Sequence, residues 1–155
     1  VPELLEANPL AEQSVRRLVY GEDERVGRWI AERTDGEYRP GARCIGLARR
    51  GALIAGCMVD WFNGASCYMH VAAEGRNWLN RDFLWHCFHY VFEQMGARVA
   101  IGIVPSDNEA ALRFDKHLGF IEQTRIPEGC PNGDLVILTI TREQARQWLE
   151  LKEAA

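Results

Sequence analysis

VPSDNEAALRFDKHLGF, residues 104–120, reads as the end of a strand, a capped helix and a stop. The strand before it runs from Arg98 to Val104, with Val99, Ile101 and Ile103 on one face. Ser106 followed by Glu109 forms a capping box, so the spacing predicts a helix from about Asp107. Ala111, Phe114 and Leu118 recur at helical spacing, and Gly119 is placed to end the helix in the left-handed conformation. The stretch is one strand–helix–strand unit of an α/β domain. Chemistry has to be sought elsewhere in the chain.

The chain has 155 residues, 47% hydrophobic and 26% charged, with a net charge of −4. That size and balance predict a single domain over residues 1–155 with a real core. The acidic balance argues against a general nucleic-acid binder, which needs a basic face for phosphates, although a local basic groove stays open. The five cysteines (Cys44, Cys57, Cys67, Cys87 and Cys130) are odd in number and contain no C-x-x-C pair. Neither a zinc site nor a disulfide framework is expected from them, and reduced thiols of a cytoplasmic protein are. No apolar run reaches membrane-spanning length, and no basic-then-apolar leader opens the sequence.

Residues upstream of TDGEYRPGAR (34–43) are expected to be mostly helical, with Val15, Leu18 and Val19 on one short apolar face and Val26, Trp29 and Ile30 on another. Three strands follow. Cys44–Arg49 and Ala52–Phe62 meet across Arg50-Gly51, and Asn63-Gly64 leads into Ala65–Val71. A helix from about Asn80 to Met95 should bury Leu84, Cys87, Phe88, Val91 and Met95. After the opening unit come Phe120–Ile126, the loop PEGCPNG, Asp134–Ile140 and a terminal helix, Glu143–Lys152. A helical crossover inside an otherwise antiparallel meander makes Ala65–Val71 and Arg98–Val104 parallel. Ligands bind beyond the carboxyl ends of such strands, which points to residues 72–80.

This order resembles the GNAT superfamily of acyl-CoA-dependent N-acetyltransferases, over roughly residues 43 to 141. In that family the helix after the fifth strand reads N-x-x-A-x-x-x-Y-x-x-x-G-F. Asn108, Ala111, Gly119 and Phe120 match in register, and Asp115 takes the place of the Tyr. The pyrophosphate loop reads V-x-P-x-x-R-x-x-G-x-G, against which Val71, Ala73 and Arg76 stand in the first three marked positions and Leu79 and Arg81 in the glycine positions. The resemblance implies a three-layer α/β/α fold with a mixed, mostly antiparallel sheet, splayed between its fourth and fifth strands. It further implies acetyl-CoA as co-substrate and a primary amine as acceptor. The chain also resembles small phage-encoded GNAT-like proteins, so a nucleobase amine in phage DNA is an alternative acceptor. A non-catalytic binding or assembly protein is an alternative function, and a homodimer is compatible with either.

Glycines in that loop let backbone N–H groups approach phosphate at a helix N-terminus. Leucine and arginine add bulk, yet Arg76 and Arg81 bring two guanidinium groups to the same place, each able to pair with phosphate. Acetyl transfer needs a base for the amine, polarisation of the thioester carbonyl and a proton for the thiolate. Alternation puts Ser66, Tyr68 and His70 on one strand face and Cys67, Met69 and Val71 on the other. His70 is the candidate base, in competition with a structural role, and Tyr68 is the candidate acid or a packing residue. The resemblance gives the backbone amides of Val71 and Ala73 the thioester and pantetheine, and gives Asn108 the pantetheine arm, although Asn108 is also placed for a helix-end role. Asp115 reads as a solvated residue near Lys116, because an ionised carboxylate cannot protonate a thiolate. His86, His89 and Glu93 lack a fourth donor, so no metal is expected. Trp78, Phe83, Trp85, Phe88, Tyr90 and Phe92 read as core aromatics, with Trp78 also placed to cover a ring. Cys67 is turned away from His70 and is a poor nucleophile.

Overall fold

The structure, a computed structural model, describes residues 16–75 and 81–150. Seven strands, β1 (Arg16–Val19), β2 (Arg43–Arg49), β3 (Ala52–Asp60), β4 (Ser66–Ala73), β5 (Val99–Pro105), β6 (Ile121–Cys130) and β7 (Gly133–Thr141), form one sheet in the order β1-β2-β3-β4-β5-β7-β6. Every neighbouring pair is antiparallel except β4 and β5. The helix α1 (Asp23–Ala31) lies on one face, where Val26 and Ile30 pack with Met58 and Ala72. On the other face α2 (Arg81–His89) and α3 (Glu109–Leu118) bury Phe83, Leu84, Leu112 and Leu118 with Cys67, Met69, Ala100 and Val104. The result is the expected three-layer α/β/α arrangement around a mixed sheet.

Local chemistry explains the main turns. Arg50 and Gly51 both have positive φ, 55° and 78°, which matches the tight β2–β3 hairpin turn to the twist of its strands. Gly56 lets α1 approach the sheet, because a Cβ there would sit 2.9 Å from Ile30 Cδ1. α2 continues into a π-helical turn, Tyr90–Gln94, in which the Met95 N–H reaches the Tyr90 carbonyl at 2.8 Å.

Four boundaries differ from the sequence reading. Residues 16–19 form a strand, not a helix: Arg16 to Val19 pair with Arg49 to Gly46 and cover the open edge of β2. Two apolar residues in so short a run do not separate a period of two from one of 3.6, and Val15 lies outside the described residues. The cap of α3 is Asn108, whose Oδ1 accepts the Ala111 N–H at 3.2 Å. Ser106 instead holds the start of β7, its Oγ accepting the Asp134 N–H at 2.8 Å. The segment read as the loop PEGCPNG is largely strand. The outer strand β6 tolerates Pro127, and its register shifts between Ile126 and Cys130, where Glu128 has φ 59°. The terminal helix α4 spans Arg146–Leu149, preceded by turns, and buries Trp148, whose Nε1 donates to the Leu118 carbonyl at 2.7 Å.

Gly119 ends α3 as expected, with φ 117°. The N–H groups of Gly119 and Phe120 return to the carbonyls of Lys116 and Asp115 at 3.2 and 3.0 Å, the paired bonds of a Schellman stop. A Cβ at this glycine would lie 2.7 Å from the Gln144 carbonyl oxygen, so strain and collision add. Gly119→Ala is therefore expected to lower stability by about 1–3 kcal/mol, measured by denaturant unfolding.

Candidate functional site

β4 and β5 pair at only three positions, Ser66↔Val99, Cys67↔Ala100 and Tyr68↔Ile101. Beyond them β4 runs on to Ala73 and β5 to Pro105 without pairing to each other. The gap opens a cleft of about 1060 Å³ between the two strands, the loop after α1 and one face of α3.

Backbone direction assigns the edge of this gap. The Glu74 N–H donates to the Ile54 carbonyl of β3 at 2.8 Å. Peptide groups alternate sides along a strand, so the N–H groups of Val71 and Ala73 point the other way, into the gap. An extended chain with carbonyl acceptors fits there in the place of a strand.

His70 and Tyr68 share the α1-side face, opposite Met58 and Asp60 of β3. The loop after α1 closes over the imidazole: a Cβ on Gly36 would lie 3.6 Å from His70 Nδ1. Arg33 pins that loop, donating from Nε to Glu74 at 2.8 Å with its guanidinium 4.0 Å from the Trp29 ring centroid. Burial pushes the His70 pKa below its ordinary value, and the nearby Asp60 carboxylate partly opposes this. Burial thus favours the neutral imidazole, which carries a lone pair able to accept a proton. Tyr68 leans against Trp61, ring centroids 6.3 Å apart at 53°. Trp61 is 64% exposed at the cleft rim, and its N–H is held by Asp60 Oδ1 at 2.8 Å.

Asp115 overturns its solvated reading. Its carboxyl lies over β5, with Oδ2 3.3 Å from where a Cβ on Gly102 would stand, and it lines the cleft. Among the described residues no hydrogen bond or ion pair reaches this carboxyl, while the adjacent Lys116 turns to Glu122 at 3.4 Å. Burial alone raises its pKa to about 7. Two signals in the sequence mark this position. Asp115 follows Ala111 by one helical turn and precedes Leu118 on the same apolar stripe, and Gly102 interrupts a strand where a neighbour comes close.

The remaining candidates divide. Asn108 borders the cleft but spends Oδ1 on its cap. Arg81 opens α2 and is exposed, whereas Arg76, Trp78 and Leu79 lie outside the described residues. Cys67 is buried on the face opposite His70, and Cys130 is half-buried at the cleft wall. His86 Nδ1 meets the Tyr20 hydroxyl at 2.7 Å and His89 stacks on Trp85. Among the described residues no three His, Cys, Asp or Glu side chains are grouped to hold a metal. No described helix is long and apolar enough to cross a membrane.

No protein-family profile matches the chain, and no curated protein sequence matches it. Solved structures do. YncA of Salmonella typhimurium, assigned as an acetyltransferase and solved with its cofactor acetyl-CoA, superposes with a TM-score of 0.61 at 15% identity, covering 81% of this chain and 93% of that one. A chimera of the spermidine N-acetyltransferase SpeG from Vibrio cholerae with hSSAT gives 0.66 at 15%, covering 86% and 99%. SpeG in complex with manganese ions gives 0.64 at 15%, covering 85% and 95%. The fold is that of the GNAT acetyltransferases. The splay between β4 and β5 and the parallel pairing that precedes it are features of that fold, here carried by a sequence with little residual identity.

Asp115 gives this fold a measurable pH signature. A carboxyl whose pKa the fold raises binds its proton more tightly than in the unfolded chain. Its contribution is complete below the unfolded value near 4 and is lost as pH rises through about 7. Asp115→Asn should remove that loss. Wild-type stability relative to the variant is expected to fall on the order of 2–4 kcal/mol between pH 5 and 9, measured by urea unfolding at each pH.

Proposed function

We propose that the chain transfers an acetyl group from acetyl-CoA to a primary amine by direct attack within a ternary complex. The stretch of β4 beyond Tyr68, unpaired on its β5 side, carries this reading, because it offers the Val71 and Ala73 amides to an extended acceptor-rich arm with His70 beside them. The acetyl-CoA bound to YncA and the amine acetylation named for SpeG support the choice of donor and acceptor class.

In this reading the pantetheine lies in the gap where β5 leaves β4 without a partner. The amides of Val71 and Ala73 bond its carbonyls and polarise the thioester. Asn108, its Oδ1 engaged in the cap, uses its NH₂ on the same arm. Arg76 and Arg81 pair with the pyrophosphate near the start of α2. His70 removes the proton of the attacking amine, which approaches along Trp61 and Tyr68. The Tyr68 hydroxyl is one candidate donor to the departing thiolate.

Binding is tested first. CoA at a hundred times its dissociation constant should add about 2.7 kcal/mol of stability, read as a thermal shift. No shift at millimolar CoA would leave the fold as a binding or assembly module. Replacing both Arg76 and Arg81 by Ala should weaken CoA about a hundredfold or more by calorimetry, and pantetheine without phosphates far less. For catalysis, His70→Gln should lower turnover on a polyamine or aminated-nucleoside panel by about two orders of magnitude while leaving CoA affinity unchanged. Wild-type turnover in that variant would remove His70 from the mechanism.

A further inference from the structure

We propose that Trp61 and Tyr68 form a specificity corner of the acceptor site, selecting amines that carry a second ammonium group about four methylenes from the reacting one. The inference rests on the acyl-transfer reading above and names the acceptor class for that same cleft. Its basis is the way Trp61 is held. This residue has φ 56°, in the left-handed region that a bulky side chain rarely adopts. Its indole is nevertheless exposed at the cleft rim, so core packing does not offset the strain. Strained backbone of this kind clusters at ligand clamps, where the surrounding structure fixes it. Here Asp60 Oδ1 does so by accepting the Trp61 N–H at 2.8 Å.

The two rings meet at 53° with centroids 6.3 Å apart, a V rather than a sandwich. A V of aromatic faces suits a compact cation, which both ring quadrupoles attract. Asp60 stands opposite Tyr68 in the β3–β4 register and so shares its face of the sheet. Asp35, in the loop after α1, lines the same cleft. Among the described residues neither Asp35 nor Asp60 makes an ion pair, whereas Arg33 is engaged by Glu74 and Arg39 by Glu37. The corner is left with aromatic faces and negative charge, and both favour a cation. An uncharged ring would also stack on Trp61, but it would gain nothing from the carboxylates.

The strand supplies the ruler. Tyr68 and His70 stand two residues apart on one face of β4, about 6.5 Å along the strand. An extended chain of four methylenes separates its terminal nitrogens by about 6 Å. With one nitrogen at the His70 imidazole, the other reaches the V between Trp61 and Tyr68. The reacting amine gives up its proton at His70, while its partner stays protonated in the corner. A monoamine of the same length leaves the rings and carboxylates facing water, and that difference is the selectivity.

The test compares two acceptors, α,ω-diaminobutane and the amino alcohol of the same length, in which a neutral hydroxyl replaces the second ammonium. The ratio of their kcat/KM values should favour the diamine about 10–100-fold in wild type. Trp61→Leu should lower that ratio about three- to thirtyfold, and Trp61→Phe, which keeps an aromatic face, should hold most of it. A ratio of two acceptors within one protein cancels any loss of folding or of acetyl-CoA binding. A wild-type ratio near or below one, or a ratio that Trp61→Leu leaves unchanged, overturns this inference alone. Stability checks the strain separately. Trp61→Gly should unfold at no lower urea concentration than wild type, because glycine adopts this φ freely. A clear loss of stability there would make Trp61 a structural residue and overturn the proposal. Acetylation of no amine at all overturns the acyl-transfer reading, and this inference with it.

Discussion

Between β4 and β5 the ladder of hydrogen bonds forms over three residue pairs and then ends. Backbone amides left without a strand partner stay available to other acceptors, so an edge opened inside a sheet is a distinctive surface. Here the open edge is flanked by strands that each remain anchored on their other side, β4 by β3 and β5 by β7. The gap therefore persists without collapsing. It presents peptide groups of known direction, and the rest of the site is arranged around it.

The two faces of the sheet give the gap two chemistries. On the α1 side, the loop tied by Arg33 and Glu74 covers His70, and burial there lowers its pKa. On the other side, the stop at Gly119 and Phe120 holds the last turns of α3 against β5 and sets Asp115 over Gly102. Burial lowers the pKa of one group and raises that of the other. In both cases the neutral form is favoured, because a low-dielectric wall penalises charge of either sign. One physical effect thereby favours the uncharged form of two side chains on opposite faces of the sheet.

Much of the fold is legible in short-range chemistry. The Arg50-Gly51 turn, the apolar stripe of α2 and the glycine stop of α3 are local features, each with its own stereochemical cause. What misleads is competition between neighbours. Ser106 has the pattern of a cap, but β7 offers it a stronger commitment through Asp134, and Asn108 caps the helix instead. Leu18 and Val19 can serve helix or strand, and the exposed edge of β2 decides for strand. Pro127 suggests a loop, yet an outer strand with an irregular register accommodates it.

By itself the sequence determined the alternation that puts Tyr68 and His70 on one face, the crossover that makes β4 and β5 parallel, and the halt at Gly119. These follow from backbone periodicity and stereochemistry, which act between residues close in the chain. Only the tertiary structure decided how far β4 and β5 stay paired, which loop covers His70, and that Asp115 is half-buried against β5. Register, cover and desolvation depend on groups far apart in sequence: Gly36 on His70, Asp60 beside Tyr68, Gly102 beneath Asp115. The apolar stripe of α3 and the break at Gly102 mark the position of Asp115 in the sequence, but how far it is desolvated follows only once β5 is laid against it.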